Sequence, residues 1–169
     1  MFLDDYFYFV RKAFGLFILA CACLATVAQS VHSEPLPVVS DLEAAAKLAR
    51  EQRIPVFVAF TLKRCPYCYT ARRDYWAPMN GSDKWRGKVI MVELEIDGAS
   101  ALRDFEGKAT TPRDFARRFG IRSVPTVMVF DARSAPAASP LVGLASGDFY
   151  ALYLEQAIEA GLKKMRAAQ

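Results

Sequence analysis

Val56-Phe57-Val58-Ala59-Phe60-Thr61 is an unbroken apolar, β-rich run, and Cys65-Pro66-Tyr67-Cys68 follows it within a few residues. A strand that shows no polar alternation is one buried on both faces of a sheet. The Cys-x-x-Cys then falls where that strand has ended and a helix begins. Pro66 suits a first helical turn, because its missing N–H is not needed there. The strand end fixes the backbone and aims Cys65 outward.

The rest of the chain fits a sheet with helices packed on it. Ser40-Asp41-Leu42-Glu43 reads as a capping box, and Leu42, Ala45, Ala46, Leu48 and Ala49 give helical spacing up to about Arg53. Pro66 to Trp76 is helical, ending near Pro78-Met79-Asn80-Gly81. Lys88 to Asp97 is a second strand. Gly98 to Thr110 reads as an irregular loop with one helical turn around Ala101 to Phe105. Thr111-Pro112 opens a short helix that Gly120 closes. Thr126 to Phe130 is a third strand and Leu141 to Ala145 a short fourth. Asp148 to Met165 is an amphipathic closing helix with Phe149, Leu152, Tyr153, Ala157, Ile158 and Leu162 as its stripe. Tyr75 and Trp76 belong to the core, and Trp85 has no assigned place. Glu93 and Glu95 alternate along a strand end and are expected in solvent. So are Arg72-Arg73 and Arg117-Arg118, which would also attract an acidic partner. Strands alternating with helices early and a hairpin late give an α/β layer sandwich with a mixed sheet. It spans residues 40–169, after a linker or edge segment over 31–39.

A helix N-terminus carries partial positive charge and free amides, which favour a thiolate. Cβ atoms three residues apart in a regular helix are about 5–6 Å apart, whereas a disulfide wants roughly 3.5–4.5 Å. The first turn must adjust to close the bond and relaxes on reduction, so the bond is expected to be labile. Cys65 is then the exposed attacking thiol and Cys68 the resolving thiol that releases a mixed disulfide. Lys63 and Arg64 stabilise the Cys65 thiolate electrostatically, or are simply solvated charges. Tyr67 lines a substrate surface beside Cys65, or points to solvent. Two other uses of the pair compete: a structural disulfide, which would close only a tiny loop, and half of a zinc site. Zinc takes four ligands, usually Cys or His, and past the leader the chain offers two cysteines and His32. No metal is expected. No organic cofactor is needed, because the electrons travel on sulfur.

Residues 13–28 carry no charge, follow Arg11-Lys12 and precede the polar stretch Gln29 to Pro35. A basic pair, a short apolar run and small residues at its end describe a secretory signal peptide over residues 1–30. The run is short for a spanning helix, which needs about 20 apolar residues. An uncleaved anchor and lipid attachment at Cys21 are the alternatives. Cleavage removes Cys21 and Cys23 and leaves Cys65 and Cys68 in an oxidising compartment. The expected location is periplasmic, or anchored to the inner membrane facing the periplasm. A net charge of +4 is too mild to signal a nucleic-acid partner.

Phe57-Val58-Ala59-Phe60, Cys65-Pro66-Tyr67-Cys68 and Arg122-Ser123-Val124-Pro125-Thr126 together resemble the thioredoxin superfamily, over roughly residues 40–165. The Pro-Tyr dipeptide is similar to that of glutaredoxins, and the leader to that of exported bacterial thioredoxin-like proteins. The resemblance implies a thioredoxin-like three-layer α/β/α sandwich with a central mixed sheet. It implies a cis peptide before Pro125 beside the cysteines, with Val124 offering backbone groups to an extended substrate. One departure stands out: thioredoxins carry a buried acid six residues before the first cysteine, and here that place is Ala59. The function implied is an exported thiol–disulfide oxidoreductase acting on protein thiols and disulfides, a reductant more than an oxidant. A membrane donor would supply its electrons. A non-catalytic peptide-binding or chaperone module and a glutathione-dependent enzyme are the alternatives.

Overall fold

The computed structural model describes residues 33–131, 133–144 and 147–167. The leader with Cys21 and Cys23, and His32, lie outside the described residues. Helix α1 (Leu42–Gln52) begins one residue later than the capping box implies. Asp41, not Ser40, is the N-cap and accepts from the Ala44 N–H at 3.0 Å. Glu43 does not reach back; it pairs with Arg103 at 2.8 Å. Strand β1 (Val56–Thr61) is buried at all six positions, as its unbroken apolar run requires.

Helix α2 (Pro66–Ala71) runs through a π-helical turn (Arg72–Trp76) into α3 (Ala77–Asn80). The widened turn precedes Pro78, whose ring has no N–H for the ladder. Strand β2 (Ile90–Glu95) follows. The loop expected over 98–110 is instead a hairpin of two-residue strands, β3 (Leu102–Arg103) and β4 (Ala109–Thr110). Asp104 organises its turn by accepting from the Glu106 and Lys108 amides at 3.1 and 2.9 Å. The expected helical turn around Ala101–Phe105 is absent because these carboxylate–amide bonds favour a turn over a helix. Helix α4 (Pro112–Arg118) is capped by the Thr111 hydroxyl, and strands β5 (Thr126–Phe130) and β6 (Leu141–Val142) and helix α5 (Gly147–Ala167) complete the chain.

The sheet order is β2-β1-β5-β6. β1 is parallel to β2 and antiparallel to β5, and β5 is antiparallel to β6, so the sheet is mixed. Strand alternation divides the core in two. Val56, Val58 and Phe60 pack with Leu42, Ala46 and Phe115 on one face, while Phe57 and Ala59 pack with Ala71, Trp76 and Ile158 on the other. This is the thioredoxin-like sandwich: α1 and α4 cover one side, α2, α3 and α5 the other. Before α1, residues 37–39 run along the edge of β2. Val39 N–H donates to Glu93 O at 3.0 Å and Glu93 N–H to Pro37 O at 2.9 Å.

One helix face differs from the expectation. Tyr150, Leu154, Ala157 and Ile158 point inward on α5, while Phe149, Leu152 and Tyr153 are exposed. Tyr150 wins the inward place by meeting Tyr75 edge-on at 4.9 Å and accepting a hydrogen bond from Trp76 Nε1 at 3.3 Å. Burial pushes its phenol up to about 12, against the Trp76 hydrogen bond. Trp85 joins the same layer. Further along α5, a Cβ on Gly161 would lie 2.7 Å from Pro55 Cβ, so the close approach of helix and sheet requires glycine there.

Candidate active site

The α2 start places the two sulfurs. Cys65 is extended, at φ −126° and ψ 106°, and serves as the N-cap of α2. Its Sγ accepts from the Cys68 N–H at 3.1 Å, so the sulfur takes one of the free amides that a helix start presents. Cys65 and Cys68 are joined in a disulfide with their Cα atoms 5.2 Å apart. Cys65 is half-buried and Cys68 fully buried. An accessible sulfur bonded to a sheltered one at a helix N-terminus is the equipment of thiol–disulfide oxidoreductase chemistry in general.

The neighbours fall into two groups. Tyr67 is 69% exposed and points away from the core, and Lys63 and Arg64 are exposed as well. The Lys63 amide donates to Asp97 Oδ1 at 3.1 Å, which ties the loop after β1 to the end of β2. The second group comes from β5. Thr126 pairs with Phe60, so the turn before β5 lies at the end of the sheet from which the cysteine loop leaves. The Val124–Pro125 peptide there is cis. The turn is pinned from both sides: Gly143 N–H donates to Pro125 O, and Thr126 Oγ1 to Ser123 O, each at 2.8 Å.

Glu93 departs most from the expectation of a solvated acid. It is 2% exposed. Thr61 Oγ1 donates to its Oε1 at 2.6 Å, Arg72 Nε donates to both oxygens at 2.8 and 2.9 Å, and Arg72 Nη2 also donates to Oε1. Arg72 is accordingly not a solvated helix-face charge. Its hydrogen bond to Glu93 holds its guanidinium above the usual range, against partial burial. Arg118 is likewise engaged, donating to buried Asp104 at 2.8 Å. The signal for Glu93 was in the sequence: a carboxylate inside the run Val89 to Ile96 is an acid in a strand buried on both faces, and a buried charge needs a partner. A cavity of about 510 Å³ opens onto the pair, lined in part by Leu36, Val38, Tyr69, Arg72, Glu93 and Glu95. Among the described residues, no group of three or more His, Cys, Asp or Glu side chains gathers that could hold a metal ion.

The model of the thioredoxin-like domain family matches residues 42–158. Among solved structures, the fold is similar to a DsbH oxidoreductase, at TM-score 0.57 and 14% identity, covering 80% of this chain and 92% of that one. It is similar also to a poplar thioredoxin h, at TM-score 0.52 and 13% identity, covering 72% and 96%. At such identities the likeness is one of fold. No curated protein matches the sequence. A family model that spans residues 42–158, on a mixed sheet of this order, makes the chain a member of the thioredoxin-like domain family.

Proposed function

We propose that this protein exchanges disulfides with protein substrates through Cys65 and Cys68, outside the cytoplasm, and works as a reductant. The observation that carries the reading is the unequal burial of two bonded sulfurs at the start of α2. In the reduced state the Cys65 thiolate, favoured by the helix N-terminus, attacks a substrate disulfide. One substrate sulfur leaves as a thiolate, and Cys65 holds the other in a mixed disulfide. Cys68 then gives up its proton and attacks Cys65 Sγ. The second substrate sulfur leaves and the Cys65–Cys68 bond forms. Two electrons have passed to the substrate, and a dithiol donor at the membrane restores the pair.

Val124 and Pro125 would dock the substrate backbone by β-addition, and exposed Tyr67 would line the approach to Cys65. Export is supported by the basic pair, apolar run and small residues of the leader. The reductant direction is supported by the short path from α3 to β5, which holds β2, a hairpin of two two-residue strands and the seven residues of α4 rather than an inserted helical domain.

Trapping tests the assignment. Cys68→Ser should accumulate mixed disulfides through Cys65, and Cys65→Ser should accumulate none. Trapping by Cys65→Ser alone reverses the roles. Insulin reduction by the wild type should exceed that of Cys65→Ser by several orders of magnitude, and equal rates would leave only a binding module.

A further inference from the structure

The Arg72–Glu93 pair lies on the face of the sheet that the cysteine helix covers. Glu93 pairs in register with Ala59, and Glu95 with Thr61. Strand alternation therefore puts Ala59, Thr61, Glu93 and Glu95 on one face, and Ala59 packs there with Ala71 of α2. On the helix, Cys68 and Arg72 are four residues apart, and the Arg72 N–H donates to Cys68 O. Residues so spaced share a helix face, and helical side chains lean toward the N-terminus. By that rule the Arg72 stem leans toward the turn that carries Cys68, while Glu93 grips its guanidinium from β2.

We propose that Arg72 and Glu93 together set the reduction potential of the Cys65–Cys68 couple, with Arg72 a positioning cation beneath the Cys68 sulfur and Glu93 the anchor that holds and offsets it. This rests on the reading of the pair as a thiol–disulfide couple. The disulfide carries no charge, whereas the reduced pair carries a thiolate. A nearby cation therefore favours the reduced form and a nearby carboxylate the oxidised form. The charged groups around Arg72 are Glu93 and Glu95 from β2 and Arg73 and Asp74 from its own helix. Arg73 is already paired with Asp74 at the surface, so Glu93 is the group whose loss changes the field most. The cavity beside the pair lets water reach the guanidinium, so the field is moderated rather than that of a dry interior.

The test equilibrates the full chain with reduced and oxidised glutathione and counts free cysteines by alkylation. Two glutathione thiols become one glutathione disulfide, the Cys65–Cys68 bond breaks, and two electrons and two protons pass to the cysteine sulfurs. Glu93→Gln keeps the shape and frees the cation; it should shift the equilibrium toward the reduced pair by about tenfold, about 30 mV for a two-electron couple. Arg72→Met should shift it about as far the opposite way, and Arg72→Lys should stay near the wild type. A structural role alone would lower the unfolding temperature of both variants without opposing shifts. If Glu93→Gln fails to fold, the contrast between Arg72→Met and Arg72→Lys decides. Shifts of the same sign, or none, overturn the proposal while the couple itself stands. A wild-type pair that never exchanges with glutathione overturns the reading of the site, and this inference with it.

Discussion

Cys65 caps its own helix, so its sulfur is already in contact with a backbone amide before any side-chain charge acts. Lys63 and Arg64 add to this only as solvated charges. Asp97 stands against them, bound to the Lys63 amide at 3.1 Å. Exposed charges a few ångströms apart interact by about 1 kcal/mol in water. Lys63→Ala should therefore raise the Cys65 thiol pKa by less than about one unit, and Asp97→Asn should lower it by a similar amount. The rate of alkylation of the reduced chain against pH reads both. An unchanged profile in Lys63→Ala removes Lys63 from the mechanism and leaves the helix start as the dominant influence on the thiolate.

Among the elements, one carboxylate adds a polar tie between the end of β5 and α5, whose apolar faces already pack together. Asp131 accepts from the Arg133 and Ala135 amides and from Lys164 Nζ, each at 2.9 Å. Burial pushes its carboxyl up, but the Lys164 ammonium and the two amides outweigh that and hold it below the usual range. A carboxyl whose folded pKa is depressed stabilises the fold above its unfolded pKa, about 3.9. That contribution is lost as pH falls through the folded value. Asp131→Asn should lower stability at pH 7 by about 1–3 kcal/mol, and by much less near pH 3. Urea unfolding at the two pH values measures it, and an equal loss at both would show that charge plays no part. The same elements show what the sequence made legible. β5 was readable to the residue because Thr126 to Phe130 is a β-rich run bounded by Pro125 and Asp131. The face of α5 was not, because Phe149, Leu152 and Tyr153 match helical spacing as well as Tyr150, Leu154 and Ile158 do. Only the meeting of Tyr150 with Trp76, 74 residues earlier in the chain, decides between them. The cysteines were plain from their spacing. The Arg72–Glu93 pair was not, since it joins a helix to a strand that only the parallel register of β1 and β2 brings together.

At the scale of the molecule, the disulfide joins redox chemistry to folding. Four states close a cycle: folded or unfolded, oxidised or reduced. If the folded chain holds its disulfide more strongly than an unfolded dithiol would, the oxidised form must also be the more stable fold. That is the condition for a reductant, whose pair gives up electrons readily. The bond fastens the loop after β1 to the first turn of α2. The run from α2 to α3 carries Trp76, which joins Tyr150 in one of the two core layers. The oxidised chain should melt several degrees above the fully reduced one. A 30 mV difference in potential is about 1.4 kcal/mol, and each kcal/mol moves the midpoint of a domain this size by a few degrees. Calorimetry of the two forms in one buffer makes the comparison. A reduced form that melts higher would mean that folding strains the bond, and the protein would then be an oxidant working through the same two sulfurs.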